Sequence, residues 1–191
     1  MADSTVDVVF AVVLSVRAGR LAASVASVER RPRESLQAAL ARAVDVEALA
    51  HVEQLETRLL SDGTLATAYL GLGAARARAP RTADERSLVD AARARLRAKL
   101  SYTNVGFALA PETFTISELR DLYGAALGHD VSATNLQRVL LRRGVLERVG
   151  GSRAPGPAGG RPAALFRFAS RRLAVTDQFA VLRPPGSRAS G

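Results

Sequence analysis

The chain has 191 residues, a formal net charge of +9, 48% hydrophobic and 24% charged residues, the balance of a folded protein with room for one large core or two small ones. It contains no cysteine and no tryptophan, which excludes disulfides and thiolate metal sites. The apolar run 8–16 is shorter than the roughly 18 residues of a membrane span, and Asp3 and Asp7 stand where a signal peptide needs basic residues, so the expected compartment is the cytoplasm, with no membrane partner.

TVDVVFAVVLSV (5–16) is valine-rich and runs into Arg17-Ala18-Gly19-Arg20, which predicts a buried strand entering a turn. LAASVASVE (21–29) alternates like a strand paired to the first as a hairpin, and Arg30-Arg31-Pro32-Arg33 ends it. SLQAALARAVDVEALA (35–50) places Leu36, Leu40 and Val44 at four-residue spacing behind Ser35, predicting a capped helix across the whole stretch. VEQLETRLL (52–60) and TLATAYLGL (64–72) flank Ser61-Asp62-Gly63, a second hairpin. Residues 1–74 thus form an α/β unit of about four strands and one helix.

AARARAPRTADE (74–85) reads as a linker. A connecting helix follows over 81–100, with Thr82 and Glu85 spaced as a capping box. FTISELRDLYGAALG (114–128) repeats that box at Thr115 and Glu118 and stops at Gly128. SATNLQRVLLRRG (132–144) is a second helix after a short turn, with Leu136, Val139 and Leu140 on its apolar face and Leu141 beside it. VLERV (145–149) and AALFRF (163–168) are short strands around a Gly/Pro-rich loop carrying Arg153 and Arg161. Helix, turn, helix and basic-tipped hairpin is the order of a winged helix-turn-helix. It occupies 101–183 in this reading, and the tail 184–191 is expected to be disordered.

The charge sits with these last elements. Residues 1–80 carry 9 basic and 9 acidic groups, 81–131 carry 7 and 7, and 132–191 carry 11 and 2. An excess confined to one region points to a polyanionic partner. The second helix of the pair offers side chains suited to base edges: Asn135 and Gln137 for adenine, Arg138 for guanine. Thr134 lies beside them, Arg142 and Arg143 are placed for phosphates, and Arg153 and Arg161 of the wing for the backbone or the minor groove.

Residues 102–168, through FTISEL, LYGAALG, the Asn135 helix and GGRPA, resemble the C-terminal winged helix of the Nudix-related transcriptional regulators, which include repressors of NAD metabolism. TVDVVFAVV and HVEQLETRLLSDGTLATAYLGL resemble strands of that family's Nudix-like domain. The fold this implies is α+β: a degenerate Nudix-like α/β domain followed by a winged helix-turn-helix. The partners it implies are double-stranded DNA, a second copy of the chain as a homodimer, and a nucleotide effector such as ADP-ribose.

The Nudix signature G-x5-E-x7-R-E-U-x-E-E-x-G-U is missing. Its helix would gather glutamates around Mg²⁺, whereas the corresponding helix here holds only Asp45 and Glu47, with no glycine-rich loop before it. No catalytic residue, metal site or cofactor is therefore expected, and the protein reads as a regulator and not an enzyme. Arg30, Arg31 and Arg33 remain as alternative phosphate ligands or a solvated turn. His51 and His129 lack partners at metal-ligand spacing. Two other readings stay open: an interaction module for an acidic protein or RNA, and a residual Nudix-type hydrolase.

Overall fold

The structure, a computed structural model, describes residues 7–75, 77–154 and 162–178. Arg161 and the tail 184–191 lie outside these residues. Strands β1 (Asp7–Arg17), β2 (Arg20–Glu29), β3 (Leu49–Leu59) and β4 (Leu65–Gly73) form one mixed sheet in the order β2-β1-β4-β3. β1 runs antiparallel to β2 and parallel to β4. It is buried on both faces, as a central strand with covered faces must be. Phe10, Val12 and Leu14 point into one cluster, and Val9, Ala11 and Val13 into another.

Helix α1 (Leu36–Ala43) covers the second cluster through Ala39 and Leu40. Its N-cap is Ser35, whose hydroxyl accepts the Ala38 N–H at 3.1 Å. The helix ends seven residues before the expected point at 50. Val44 turns extended (φ −148°, ψ 151°) but stays buried against the β1 face, and a 3-10 turn (Val46–Ala48) leads straight into β3. Burial of β-branched Val44 and the pairing of β3 with β4 outweigh the helical periodicity here.

Helix α2 (Ala83–Tyr102) follows Thr82, and both bonds of the Thr82–Glu85 capping box form. Its buried face, with Leu88, Val89, Ala92, Leu96 and Leu100, belongs to the same apolar cluster as Phe10 and Leu70 of the sheet and Phe107, Leu119 and Phe166 beyond it. The core therefore runs without a break from the sheet through α2 into the C-terminal elements.

The segment before α2, expected as a linker, is pinned at both ends. Arg78 pairs with Val25 through two backbone hydrogen bonds of 2.6 and 3.2 Å, extending the sheet past β2. Its guanidinium ion-pairs with Glu85, which is 4% exposed. That guanidinium, with the Arg81 and Thr82 N–H groups, lowers the Glu85 carboxyl from 4.5 to about 2. A lowered folded pKa means stability that is present above the unfolded value and lost as pH falls through the folded one. Glu85→Gln is thus expected to cost about 2 kcal/mol at pH 7, after allowance for screening at the partly exposed Arg78. It should also flatten the loss of stability between about pH 4.5 and 2, read by denaturant melts along an acid series.

The C-terminal elements are α3 (Ile116–Leu127), α4 (Ala133–Arg142), β5 (Leu146–Arg153) and β6 (Ala163–Phe168), with a 3-10 turn (Val105–Ala108) after α2. β5 and β6 are antiparallel, and Phe114 bridges to Phe166 on the other side of β6. The Phe114 and Phe168 rings stack tilted, 5.4 Å apart. Among the described residues no helix is long and apolar enough to cross a membrane.

Candidate nucleic-acid interface

Helix α3 is set by its ends. The Thr115–Glu118 capping box forms, and Gly128 closes the helix in the left-handed region at φ 79°, where glycine carries no Cβ penalty. The turn to α4 is closed by Ser132, whose hydroxyl accepts the Asn135 N–H at 3.3 Å. Leu136 and Leu140 bury the inner face of α4, and Val139 is half-buried beside them. That packing turns Thr134, Asn135, Arg138 and Arg142 outward, all exposed, with Gln137 half-buried at the edge. Arg138 Nη2 donates to Asn135 Oδ1 at 2.7 Å, so two groups suited to bases are already held together on one face.

Arg143 does not join them. Its side chain is 15% exposed and ion-pairs with Asp177 at 2.6 Å, and it donates to the Ser101 carbonyl at 2.9 Å. The guanidinium ties the end of α4 to the end of α2 and to the segment after β6, so a phosphate contact from Arg143, as expected from the sequence, would compete with these bonds. Asn104 fastens the same segment. Its amide donates to the Arg172 carbonyl at 2.9 Å, and its Oδ1 accepts the Ala174 N–H at 2.7 Å.

Arg153 stands on β5, not in the loop, because the strand continues past a bulge between Val149 and Ser152, with Gly151 at φ 91°. It ion-pairs with Glu118 of the α3 cap while staying 46% exposed.

A groove of about 390 Å³ runs between α3, α4 and the β5–β6 hairpin. Gln137, Ser117 and Arg148 line it, with Leu141, which is 40% exposed and not part of the inner stripe. Arg148 is a cation that the sequence reading passed over. Its signal in the sequence is the charged pair Glu147-Arg148 directly after the apolar Val145-Leu146, which are buried while the pair is exposed. Glu147 is engaged across the hairpin by Arg167 at 2.9 Å.

The other candidates are spread through the sheet domain. Arg30 ion-pairs with Asp7 and donates to the Glu34 carbonyl at 2.9 Å. Glu34 pairs with Arg42 at 2.8 Å, and hydrogen bonds from Arg42 and the Arg31 N–H lower its carboxyl to about 2. Asp45 and Glu47 lie in and before the 3-10 turn. Among the described residues no group of three or more His, Asp or Glu side chains is placed to hold a metal ion. His51 faces Glu53 at 3.3 Å, and Lys99 of α2 reaches the same carboxylate at 2.6 Å.

Comparison with known proteins bears out the resemblance read from the sequence. The chain is 38% identical over 86 residues to the ADPR responsive transcriptional repressor NtrR of Acinetobacter baylyi, an alignment covering 45% of this chain and 33% of that protein, so it spans about a third of the curated relative. Its fold is similar to that of Shewanella oneidensis NrtR complexed with a 27mer DNA (TM-score 0.65, 22% identity, 84% of this chain and 92% of that one). It is also similar to that of a MutT/nudix family protein from Enterococcus faecalis (TM-score 0.63, 14% identity, 89% and 90%). The fold thus joins a Nudix-like α/β domain to a winged helix, and residues 106–168 match the family described as the NrtR DNA-binding winged helix domain.

Proposed function

We propose that the protein is a sequence-specific DNA-binding transcriptional regulator that works as a homodimer. The observation that carries this is the outer face of α4: Thr134, Asn135 and Arg138 project from it, with Gln137 half-buried at its edge, toward the N-terminal end, the part of a recognition helix that enters the major groove. Arg142, Arg148 and Arg153 flank it as phosphate ligands, in the third of the chain that holds all the excess charge. Arg161 of the wing loop belongs to the same proposal. The division at about residues 74 and 101 is part of it as well, with α2 as the connection.

The Nudix-like domain serves as a sensor or pairing domain without catalysis. Diphosphate hydrolysis needs clustered carboxylates around a divalent cation, whereas Glu34 is committed to Arg42 and no such cluster is present among the described residues. The Acinetobacter relative is called ADPR responsive, which supports a nucleotide such as ADP-ribose as effector and a place in NAD-related regulation.

Fluorescence anisotropy with duplex DNA from upstream of the protein's own gene tests the reading. Binding should weaken steeply with salt, log K falling by about 0.9 per phosphate neutralised, and should exceed binding to scrambled duplex by roughly 10³-fold or more. Equal affinity for both duplexes favours the interaction-module reading, and release of AMP from ADP-ribose with Mg²⁺ favours the hydrolase.

A further inference from the structure

Helix α3 opens on a capping box whose glutamate holds more than its own helix. Glu118 accepts the Thr115 N–H at 2.7 Å through Oε2 and ion-pairs with Arg153 through Oε1. Thr115, Ile116 and Ser117 line the groove that Gln137 and Arg148 also face, so this carboxylate stands beside the surface proposed to meet DNA. A backbone N–H at a helix start and an arginine are two of the donors that proteins offer to DNA phosphates. Glu118 thus fills the place of a phosphate with a group of the chain itself.

The other capping box of the chain is the structural counterpart. Glu85 also holds an arginine, Arg78, but its carboxylate is buried, at 4% exposure, and out of reach of an incoming anion. The side chains of Glu118 and Arg153 are 43% and 46% exposed, so a phosphate reaches both.

Arg153 is placed to change partners. It lies one register pair beyond Ser152 and Ala164, past the bulge where Gly151 has φ 91°. A Cβ at Gly150 or Gly151 would meet no atom outside its chain neighbours within 4 Å, so no packing against those positions fixes the bulge. Among the described residues Glu118 is the only acid paired with Arg153.

We propose that Glu118 sets the strength of DNA binding by holding Arg153 away from phosphates, so that every duplex must displace the carboxylate before the wing strand engages. The proposal rests on the regulator reading. Phosphates carry no base sequence, so the ion pair is lost equally on matched and scrambled duplexes. An exposed pair of this kind weakens binding about two- to fivefold at low salt, and less as salt screens it.

Anisotropy titrations of the parent, Glu118→Gln, Arg153→Ala and the double variant test this. Glutamine serves in a capping box as glutamate does, so Glu118→Gln should melt close to the parent although the charge is gone. It should tighten both duplexes by the same factor, about two- to fivefold. In the Arg153→Ala background the same substitution should change affinity less than about 1.5-fold, because its effect runs through Arg153. Unchanged or weaker binding by folded Glu118→Gln overturns the proposal, and weaker binding makes the carboxylate a group that aims Arg153 at DNA. A full gain that survives without Arg153 overturns it too, because plain repulsion of phosphates then explains the effect. A parent that selects matched over scrambled duplex, beside an inert Glu118→Gln, leaves the regulator reading standing without the latch. If neither protein binds any duplex, both fall.

Discussion

Arg138→Ala is expected to lower affinity for a specific duplex by about 1–3 kcal/mol, while binding to scrambled duplex changes little, because a base contact carries sequence information and a phosphate contact does not. Arg138 is exposed on the outer face of α4, and its guanidinium donates to Asn135 Oδ1 at 2.7 Å. The hydrogen bond limits the side chain's rotamers before DNA arrives, which reduces the ordering cost of binding. It also links the two residues energetically. The double variant Asn135→Ala/Arg138→Ala should therefore lose less than the sum of the single losses, with a coupling of about 0.5–1 kcal/mol in a double-mutant cycle. Anisotropy titrations of the four proteins on matched and scrambled duplexes check both expectations. A uniform loss on both duplexes would make Arg138 a phosphate ligand and leave Asn135 and Gln137 to carry the readout.

The local signals in the chain were legible from sequence because their physics is local. Both T-x-x-E boxes cap the helices they predict, and Gly128 ends α3 where a left-handed residue was expected. The two hairpins and the double-sided burial of β1 follow from pattern as well. What failed depends on residues far away in the chain. Nothing within 35–50 says that Val44 will be pulled extended by the sheet. The parallel pairing of β1 with β4 joins segments nearly 60 residues apart and leaves no short-range trace. The same holds for the arginines, which look alike on a helical wheel. Arg138 bonds Asn135 and ion-pairs with no acid among the described residues, Arg153 is shared with Glu118, and Arg143 is taken by Asp177 of the segment after β6.

That difference gives Arg142 and Arg143 opposite expected behaviour, although they are neighbours in sequence. Arg143 and Asp177 are 15% and 12% exposed and 2.6 Å apart, and Arg143→Ala removes a charge-assisted hydrogen bond from a largely buried junction. Arg143→Ala also deprives the Ser101 carbonyl of its donor and loosens the junction of α2, α4 and the segment that Asn104 clasps. A loss of about 2–4 kcal/mol is expected, seen as a fall in melting temperature of roughly 5–15 °C for a chain of this size. At a temperature where the variant is still folded, the salt slope of its DNA binding should match the parent's. Arg142, exposed at the end of α4, should do the reverse: Arg142→Ala melts like the parent, and the slope of log K against log salt shallows by about 1, the mark of one lost phosphate contact. If Arg143→Ala instead melts normally and shallows the slope, its pairing with Asp177 yields to DNA and the residue returns to the interface. If both variants leave the slope untouched, phosphate binding rests on Arg148, Arg153 and the wing loop, and the helix meets the groove by its N-terminal half alone.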